Sequence, residues 1–307
     1  MASSPTDVIE SKLVFFSEDG SGEYGLEELL GSSAEVLGKG TFGTSYKVPK
    51  YAVVVKRLKI IGCLSEMEFI EKVKELRSQF LHQNLLPLKA FCYHPNERFL
   101  LYDYMHMGSL AFVLHGNGGA NKTPLTWEVR CSIAYRVASA IQYLHSQHIF
   151  HGNVRSSNVF LTSSFDAYLS EYALAQLFSD TKPIPNLVIG YCAPEVTNAH
   201  QVSQKSDVYS FGVLLFELLT GKAPTNALNV KEKGTDLPNW VRSMFQEKPL
   251  IDVFDNVLHG YYNTSGIGEQ MVQLLQLALC CTFQYPNRRP SMAAVTNQIR
   301  ETCSFET

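Results

Sequence analysis

Three glycines fall close together in Gly38-Lys-Gly40-Thr-Phe-Gly43, between two short apolar stretches. A backbone without side chains can approach phosphates closely and turn its N–H groups on the anion. The same spacing serves a plain hairpin with tight turns, and both readings stand. No helical pattern follows the glycines, which argues against a dinucleotide-binding fold. Lys56 ends the apolar run Ala52–Val55. A lysine after a strand is ordinarily a solvated edge. Set off from the glycines by a strand pair, its ammonium can also reach nucleotide phosphates. Polar groups then recur in order: Leu101-Tyr-Asp103-Tyr104 before Gly108, His151-Gly-Asn153-Val-Arg155-Ser-Ser-Asn158, Ser170-Glu171-Tyr172-Ala173, Ala193-Pro194-Glu195, Asp207-Val-Tyr-Ser-Phe-Gly212 and Arg288-Arg289-Pro290. His145, His148 and His151 fall three apart, a spacing that suits a metal but suits a helix end with a satisfied core histidine better. Cys280-Cys281 lies in an apolar stripe, where buried thiols are expected. Lys231-Glu-Lys233 reads as a solvated loop.

The elements that must position these groups change character along the chain. Leu13–Phe16 reads as one tethering strand in an extended lead-in, followed by Ser17–Gly25, rich in Gly, Ser and acids. Val36 to Lys56 has the broken apolar pattern of a hairpin of strands. Phe69, Val73, Leu76 and Phe80 recur at helical spacing and predict a helix over Glu66–Phe80. Leu85–Tyr93 and Arg98–Tyr104 predict two more strands, and Gly116–Thr123 a polar loop. Beyond it the chain turns helical. Ile133, Val137, Ile141 and Leu144 form one stripe, and Val208–Leu219 is apolar almost all round, as in a central buried helix. Val272, Leu275 and Leu279 mark another helix, and Ala294–Ile299 a last one. A strand-rich third before a helix-rich remainder predicts an α+β, two-lobe architecture.

Composition narrows the classes. Of 307 residues, 26 are Lys or Arg and 29 Asp or Glu, a net charge of −3 that argues against a nucleic-acid binder. With 45% hydrophobic and 18% charged residues the chain can bury a full core. No apolar run reaches the length of a membrane helix, and Met1–Glu10 lacks the apolar segment of a signal peptide. The seven cysteines (Cys63, Cys92, Cys131, Cys192, Cys280, Cys281 and Cys303) are odd in number with no CxxC pair, which fits reduced thiols in an intracellular, soluble chain.

In order and spacing, the motifs over about residues 36–302 resemble a eukaryotic protein kinase domain. Leu13–Phe16, Ser33-Ala-Glu-Val-Leu-Gly-Lys-Gly-Thr-Phe-Gly43, Val208-Tyr-Ser-Phe-Gly-Val213 and Leu219-Thr-Gly-Lys-Ala-Pro224 resemble plant leucine-rich-repeat receptor-like kinases more closely. The resemblance implies a bilobal α+β fold: a juxtamembrane lead-in over 1–30, a small, mainly β N-lobe with one helix over 31–104, a larger, mainly α C-lobe over 105–303, and a tail over 304–307. It assigns nucleotide binding to Gly38, Gly40, Gly43, Lys56, Asp103 and Asn158. Scaffold roles fall to His151, Asp207 and the ion pair Glu195–Arg289.

The same resemblance shows what chemistry has gone. Asn153 stands where the family's catalytic Asp accepts the substrate proton, and an amide does not accept a proton near neutral pH. Loss of a general base costs about 10²–10⁴-fold. Arg155 replaces the lysine that helps hold the γ-phosphate, keeping the charge but changing its reach. Glu171 replaces the metal-binding Asp, leaving Asn158 and Glu171 as a weak metal pair. Tyr172 and Ala173 replace the Phe and Gly after it. Val188 replaces a Thr hydroxyl, and Gly152 the Arg that would answer a phosphate on Ser179 or Thr181. Val54 crowds the adenine and Ser45 weakens a wall of the same pocket. The helix glutamate that should pair with Lys56 falls on Lys72, between Glu71 and Glu75. Tyr102, at the gate of the pocket, reads as packing.

The expectation is a pseudokinase: the cytoplasmic domain of a receptor-like protein, serving as a signalling scaffold or an allosteric regulator of a partner kinase. Its partners would be other receptor-like kinases or cytoplasmic signalling proteins, with no nucleic acid. Its place would be the cytoplasmic side of the plasma membrane, reached through a segment outside this chain. The alternatives are a low-activity Ser/Thr kinase and an ATP-sensing binding module. The residues fix no cofactor; ATP with Mg²⁺ or Mn²⁺ is the one the family implies.

Overall fold

The computed structural model describes residues 13–16, 24–40, 42–59, 64–94, 96–116, 124–177, 190–197, 201–224, 236–247 and 249–305. Cys63, Ser179, Thr181, Val188, Lys231–Lys233 and most of the polar loop after Gly116 lie outside them. The chain is α+β and divides into two compact units. One comprises the described residues of Met1–Leu81, Pro87–Tyr104 and Leu174–Lys182; the other, those of His82–Leu86, Met105–Ala173 and Pro183–Thr307.

The first unit is built on an antiparallel sheet. Its strands are β1 (Leu13–Phe15), β2 (Glu35–Lys39), β3 (Gly43–Val48), β4 (Val53–Leu58), β5 (Ala90–His94) and β6 (Glu97–Asp103), in the spatial order β1-β5-β6-β4-β3-β2. Val53 and Val55 alternate inward on β4 and bury with Ala90, Cys92, Phe99 and Leu101. The turn between β3 and β4 starts at Pro49, whose ring fixes φ, and closes with Ala52 in the left-handed region at φ 50°. Two expectations need correction here. The lead-in is not merely extended: helix α1 (Leu26–Leu30) forms, and Leu13, Tyr24 and Leu29 join the sheet's core. The strand expected over Leu85–Tyr93 begins only at Ala90, because Pro87 interrupts the run and Leu85, which belongs to the second unit, makes a lone bridge with Leu169 of that same unit.

Helix α2 (Glu66–Gln79) starts where the sequence permits it. Ser65 Oγ accepts from the Glu68 N–H (3.3 Å) while Glu68 Oε2 accepts from the Ser65 N–H (2.8 Å), a reciprocal cap. Phe69, Val73 and Leu76 form its buried stripe, with the Phe69 ring 6.3 Å from that of Phe91 on β5.

The second unit holds α3 (Leu110–His115), α4 (Trp127–Ser146), the short hairpin β7 (Val159–Leu161) and β8 (Ala167–Leu169), then α5 (Gln204–Thr220), α6 (Leu237–Glu247), α7 (His259–Tyr262), α8 (Ile267–Cys281) and α9 (Met292–Thr302). Ile133, Val137, Ile141 and Leu144 are the fully buried stripe of α4. α5 is buried from Ser206 to Thr220 except at Ser210, so its apolar run serves neighbours on all sides. Gly212 lets α5 approach α8: a methyl there would lie 2.7 Å from Cys281 Cβ and from Thr282 Cγ2. Within α8, Cys281 is buried but Cys280 is exposed, so the expected pair of buried thiols reduces to one. Among the described residues no helix is long and apolar enough to cross a membrane.

Candidate functional site

The residues singled out by type and spacing fall in both units. In the first, Gly38 lies on β2, where the pairing with β3 shifts register between Val36 and Gly38. The Gly40 N–H donates to the Gly43 carbonyl (2.7 Å), and Lys59 Nζ donates to the Gly40 carbonyl (3.0 Å), closing the turn. Gly43 has a structural reason of its own, because a Cβ there would stand 2.0 Å from the Arg57 carbonyl oxygen. Lys56 is buried on β4, opposite Ser45 on one side and Leu100 on the other. Val54 pairs across to Lys47 and Tyr102, and Tyr102 is itself buried. Asp103 ends β6 with its exposed carboxylate paired to Lys89 Nζ at 2.8 Å.

In the second unit the loop after α4 brings the remaining candidates together. Asp207, in the first turn of α5, accepts from the His151 N–H (2.7 Å) and the Gly152 N–H (2.8 Å), and its Oδ2 also meets His145 Nε2 at 2.9 Å. Gly152 can answer this clamp because it sits at φ 74°, a left-handed conformation that suits glycine. The Asn153 N–H donates to His151 Nδ1 (3.1 Å), so His151 Nε2 carries the proton and donates to the Ser170 carbonyl at 2.9 Å. That neutral tautomer fits its titration: burial holds the His151 pKa below its usual value, against the opposing pull of Asp207.

The centre of the loop is an amide–carboxylate contact. Asn153 Nδ2 donates to Glu171 Oε2 at 2.6 Å, and Asn158 Nδ2 donates to the Asn153 carbonyl (2.9 Å) and leans on the same Glu171 oxygen (3.4 Å). The orientation of the Asn153 amide follows from its partner, since a carboxylate can only accept. At 2.6 Å this is a short hydrogen bond for an amide donor. Glu171 and Ala173 both adopt left-handed backbone, φ 63° and 54°. For a residue with a Cβ this costs roughly 1–2 kcal/mol, so the segment is held there by its surroundings. Arg155 caps the short turn Ser156–Asn158, with its Nε buried and lacking a hydrogen-bond partner.

This arrangement fits a divalent cation poorly. Mg²⁺ and Mn²⁺ take oxygen donors in near-octahedral geometry. The one carboxylate present already accepts from two amides, and Asn158 turns its N–H₂ rather than its oxygen toward it. Among the described residues no group of three or more His, Cys, Asp and Glu side chains could hold a metal, and His145, His148 and His151 make none. Asn153 offers no base, and Glu171 is held as an acceptor.

The surrounding frame is fully engaged. Arg289 grips Glu195 with both terminal nitrogens (2.6 and 2.7 Å) and also donates to the carbonyls of Phe283, Lys205 and Gln284. Burial pushes the Glu195 carboxyl up, and the Arg289 fork more than reverses it, so the group titrates below its usual value. A second buried network escaped the sequence reading. Glu217 accepts from Ser156 Oγ (2.9 Å) and the Tyr191 hydroxyl, and meets His115 Nε2 at 2.9 Å. It ties α3, the Asn153 loop and the Tyr191 segment to α5. The available signal was a lone glutamate in the otherwise apolar stretch Val213–Leu219.

Comparisons with known proteins agree with this frame. A family model described as protein tyrosine and serine/threonine kinase matches residues 32–299. The protein named "Probable inactive receptor kinase RLK902" of Arabidopsis thaliana is 50% identical over 295 residues, covering 94% of this chain and 45% of that protein. "Leucine-rich repeat receptor-like protein kinase PXC1" of the same plant is 39% identical over 322 aligned positions, covering 98% of this chain and 47% of that protein. The chain thus spans about half the length of the curated relatives it matches. Among solved structures, the pseudokinase domain of BIR2, titled an immune regulator of the RLK/Pelle family, aligns with a TM-score of 0.80 at 27% identity, covering 96% of this chain and 90% of that one.

Proposed function

Because the chain belongs to the protein kinase family, among the plant receptor-like kinases and on their pseudokinase side, we propose that it transfers no phosphate and acts by binding. In this reading it is a signalling scaffold or an allosteric regulator of a partner kinase. The observation that carries the proposal is the 2.6 Å contact from Asn153 Nδ2 to Glu171 Oε2. Asn153 takes the position of the family's proton acceptor, and the contact turns the neighbouring carboxylate away from metal binding. Phosphoryl transfer depends on positioning and on metal charge over the phosphates. A site lacking the base and engaging the metal ligand loses both contributions. Support for a regulator comes from the intact Asp207, Glu195–Arg289 and Glu217 networks, which keep a folded surface, and from the similarity to BIR2, described as an immune regulator.

The partners in this reading are other receptor-like kinases or cytoplasmic signalling proteins. The domain works at the cytoplasmic side of the plasma membrane, tethered through a segment outside this chain. Buried Lys56 beside the glycine turn favours the second reading, a weak Ser/Thr kinase or an ATP-sensing module. The two readings separate on the purified chain with 1 mM-scale ATP and Mg²⁺, Mn²⁺ or EDTA as separate arms. The scaffold reading expects no metal-dependent rise in melting temperature and no phosphate on the chain by mass spectrometry. A Kd of about 10 µM would raise stability by roughly 2.7 kcal/mol at that concentration, a shift of several degrees. Incorporated phosphate that disappears in Lys56→Glu overturns the proposal. Its positive arm is a change in the turnover of an active receptor-like kinase domain when this chain is added.

A further inference from the structure

The geometry points to a modification site remote from the Asn153 loop: we propose that Cys131 and Cys303 close to a reversible disulfide under a hydroperoxide oxidant, stapling α9 to α4. Their sulfurs lie 2.8 Å apart, across 172 residues of sequence. Reaching the ~2.05 Å of a disulfide takes less than about 1 Å of movement. The approach is built into both helices. Cys131 sits in the second turn of α4, inside a helix whose start is fixed by the Thr126 cap. Cys303 is the C-cap of α9, and its N–H still donates to the Ile299 carbonyl at 2.9 Å.

The chain beyond Cys303 is turned back onto α4. Ser304 adopts φ 55°, and the Phe305 N–H donates to the Arg300 carbonyl at 3.2 Å, the pattern of a left-handed helix stop. The Phe305 ring then meets Tyr135, one turn along α4 from Cys131, with centroids 5.0 Å apart. On the other side of the thiol, Thr302 Oγ1 donates to Gln273 Oε1 of α8 at 3.3 Å. The pair is thus bracketed by contacts that hold it together before any bond forms.

Exposure sets the order of events. Cys303 is partly exposed, whereas Cys131 is only 2% exposed. Burial, with Glu128 one turn before it, holds the Cys131 thiol strongly toward its protonated form. Cys303 therefore meets the oxidant. Its sulfur attacks the peroxide, an S–O bond forms, the O–O bond breaks, and the leaving oxygen departs as water with the thiol's proton. The Cys131 sulfur then displaces the sulfenic oxygen, forming the S–S bond and releasing a second water with the second proton. Two thiols give up two electrons and two protons, and one hydrogen peroxide becomes two waters. In a reducing compartment a dithiol returns the pair to thiols.

The test uses the whole reduced chain, treated with hydrogen peroxide, alkylated, and mapped by non-reducing peptide mass spectrometry. The expected result is the loss of two alkylatable thiols without added oxygen, a linked peptide pair containing Cys131 and Cys303, and a melting temperature several degrees higher that dithiothreitol reverses. Cys303→Ser should abolish the link, while Cys280→Ser, at an exposed thiol of α8, should leave it unchanged. Recovery of Cys303 as its sulfinic acid with Cys131 still a thiol overturns the proposal, as does a dominant link between other cysteines. The wild-type peptide map decides even if a variant folds poorly.

Discussion

Asn153 and Glu171 stand 18 residues apart in the chain yet share a 2.6 Å hydrogen bond. Their identities were legible in the sequence, but the direction of the amide was not, since nothing in local spacing says which face of Asn153 meets which acceptor. The contact makes Asn153→Asp a sharp test. The change sets two carboxylates against each other, so one of them must take a proton or find a cation. We expect a melting temperature about 3–8 °C lower in EDTA, from roughly 1–3 kcal/mol of lost hydrogen bonding and added repulsion. Mn²⁺ should restore part of the loss, whereas the wild type should be indifferent to it. His151 gives a second prediction. Its folded pKa lies below the ordinary histidine value because of burial. The unfolded chain therefore binds the extra proton first as pH falls. Stability from this group is complete above pH ~6.5 and declines below it, by at most about 1.4 kcal/mol per pH unit, until the folded pKa is reached. His82, also held down by burial, acts in the same direction. Urea titrations between pH 5 and 8 should show a shallower slope in His151→Gln than in the wild type; equal slopes would remove His151 from the account.

Helix α5 was legible as a central helix because apolar residues surround it, and α2 by the helical spacing of Phe69, Val73, Leu76 and Phe80. The strand at Leu85 was misread because continuous apolar character outweighed the break at Pro87, and nothing in the run says that its two halves belong to different units. α1 was missed because a five-residue helix has too few turns for a period to emerge. Between elements, the strongest tie is the Arg289 fork. Its guanidinium is fully enclosed while the Glu195 side chain keeps 26% of its exposure. Arg289→Ala should cost about 3–5 kcal/mol, since Glu195 and three carbonyls lose their donor together. That corresponds to a fall of roughly 6–20 °C in melting temperature. Glu195→Gln should cost less, because the buried arginine keeps its carbonyl partners. Arg289→Lys should lie near the alanine variant, as an ammonium cannot span the fork. Calorimetry of the three variants ranks them, and a milder Arg289→Ala than Glu195→Gln would contradict the described geometry.

At the scale of the molecule, the order of a strand-rich region before a helical one foretold the α+β class, but not which segments cross between the units. His82–Leu86 and the stretch from Leu174 change sides, and the local pattern carries no sign of it. The edge strand β1 has a similar consequence. Leu13, Tyr24 and Leu29 bury in the sheet's core, Phe15 packs edge-on against Tyr24 at 5.5 Å, and Tyr24 stacks on Tyr51 at 4.0 Å. Removing residues 1–30 would forfeit roughly 5–9 kcal/mol of side-chain burial, comparable with the whole stability of a typical domain. It would also bare the β5 edge to other chains. Such a truncation should aggregate on expression, whereas one starting at residue 11 should stay monomeric by light scattering. The lead-in that precedes the kinase motifs is thus part of the fold's foundation. Cutting this protein where the family model's match begins, at residue 32, would strip an edge strand from its own sheet.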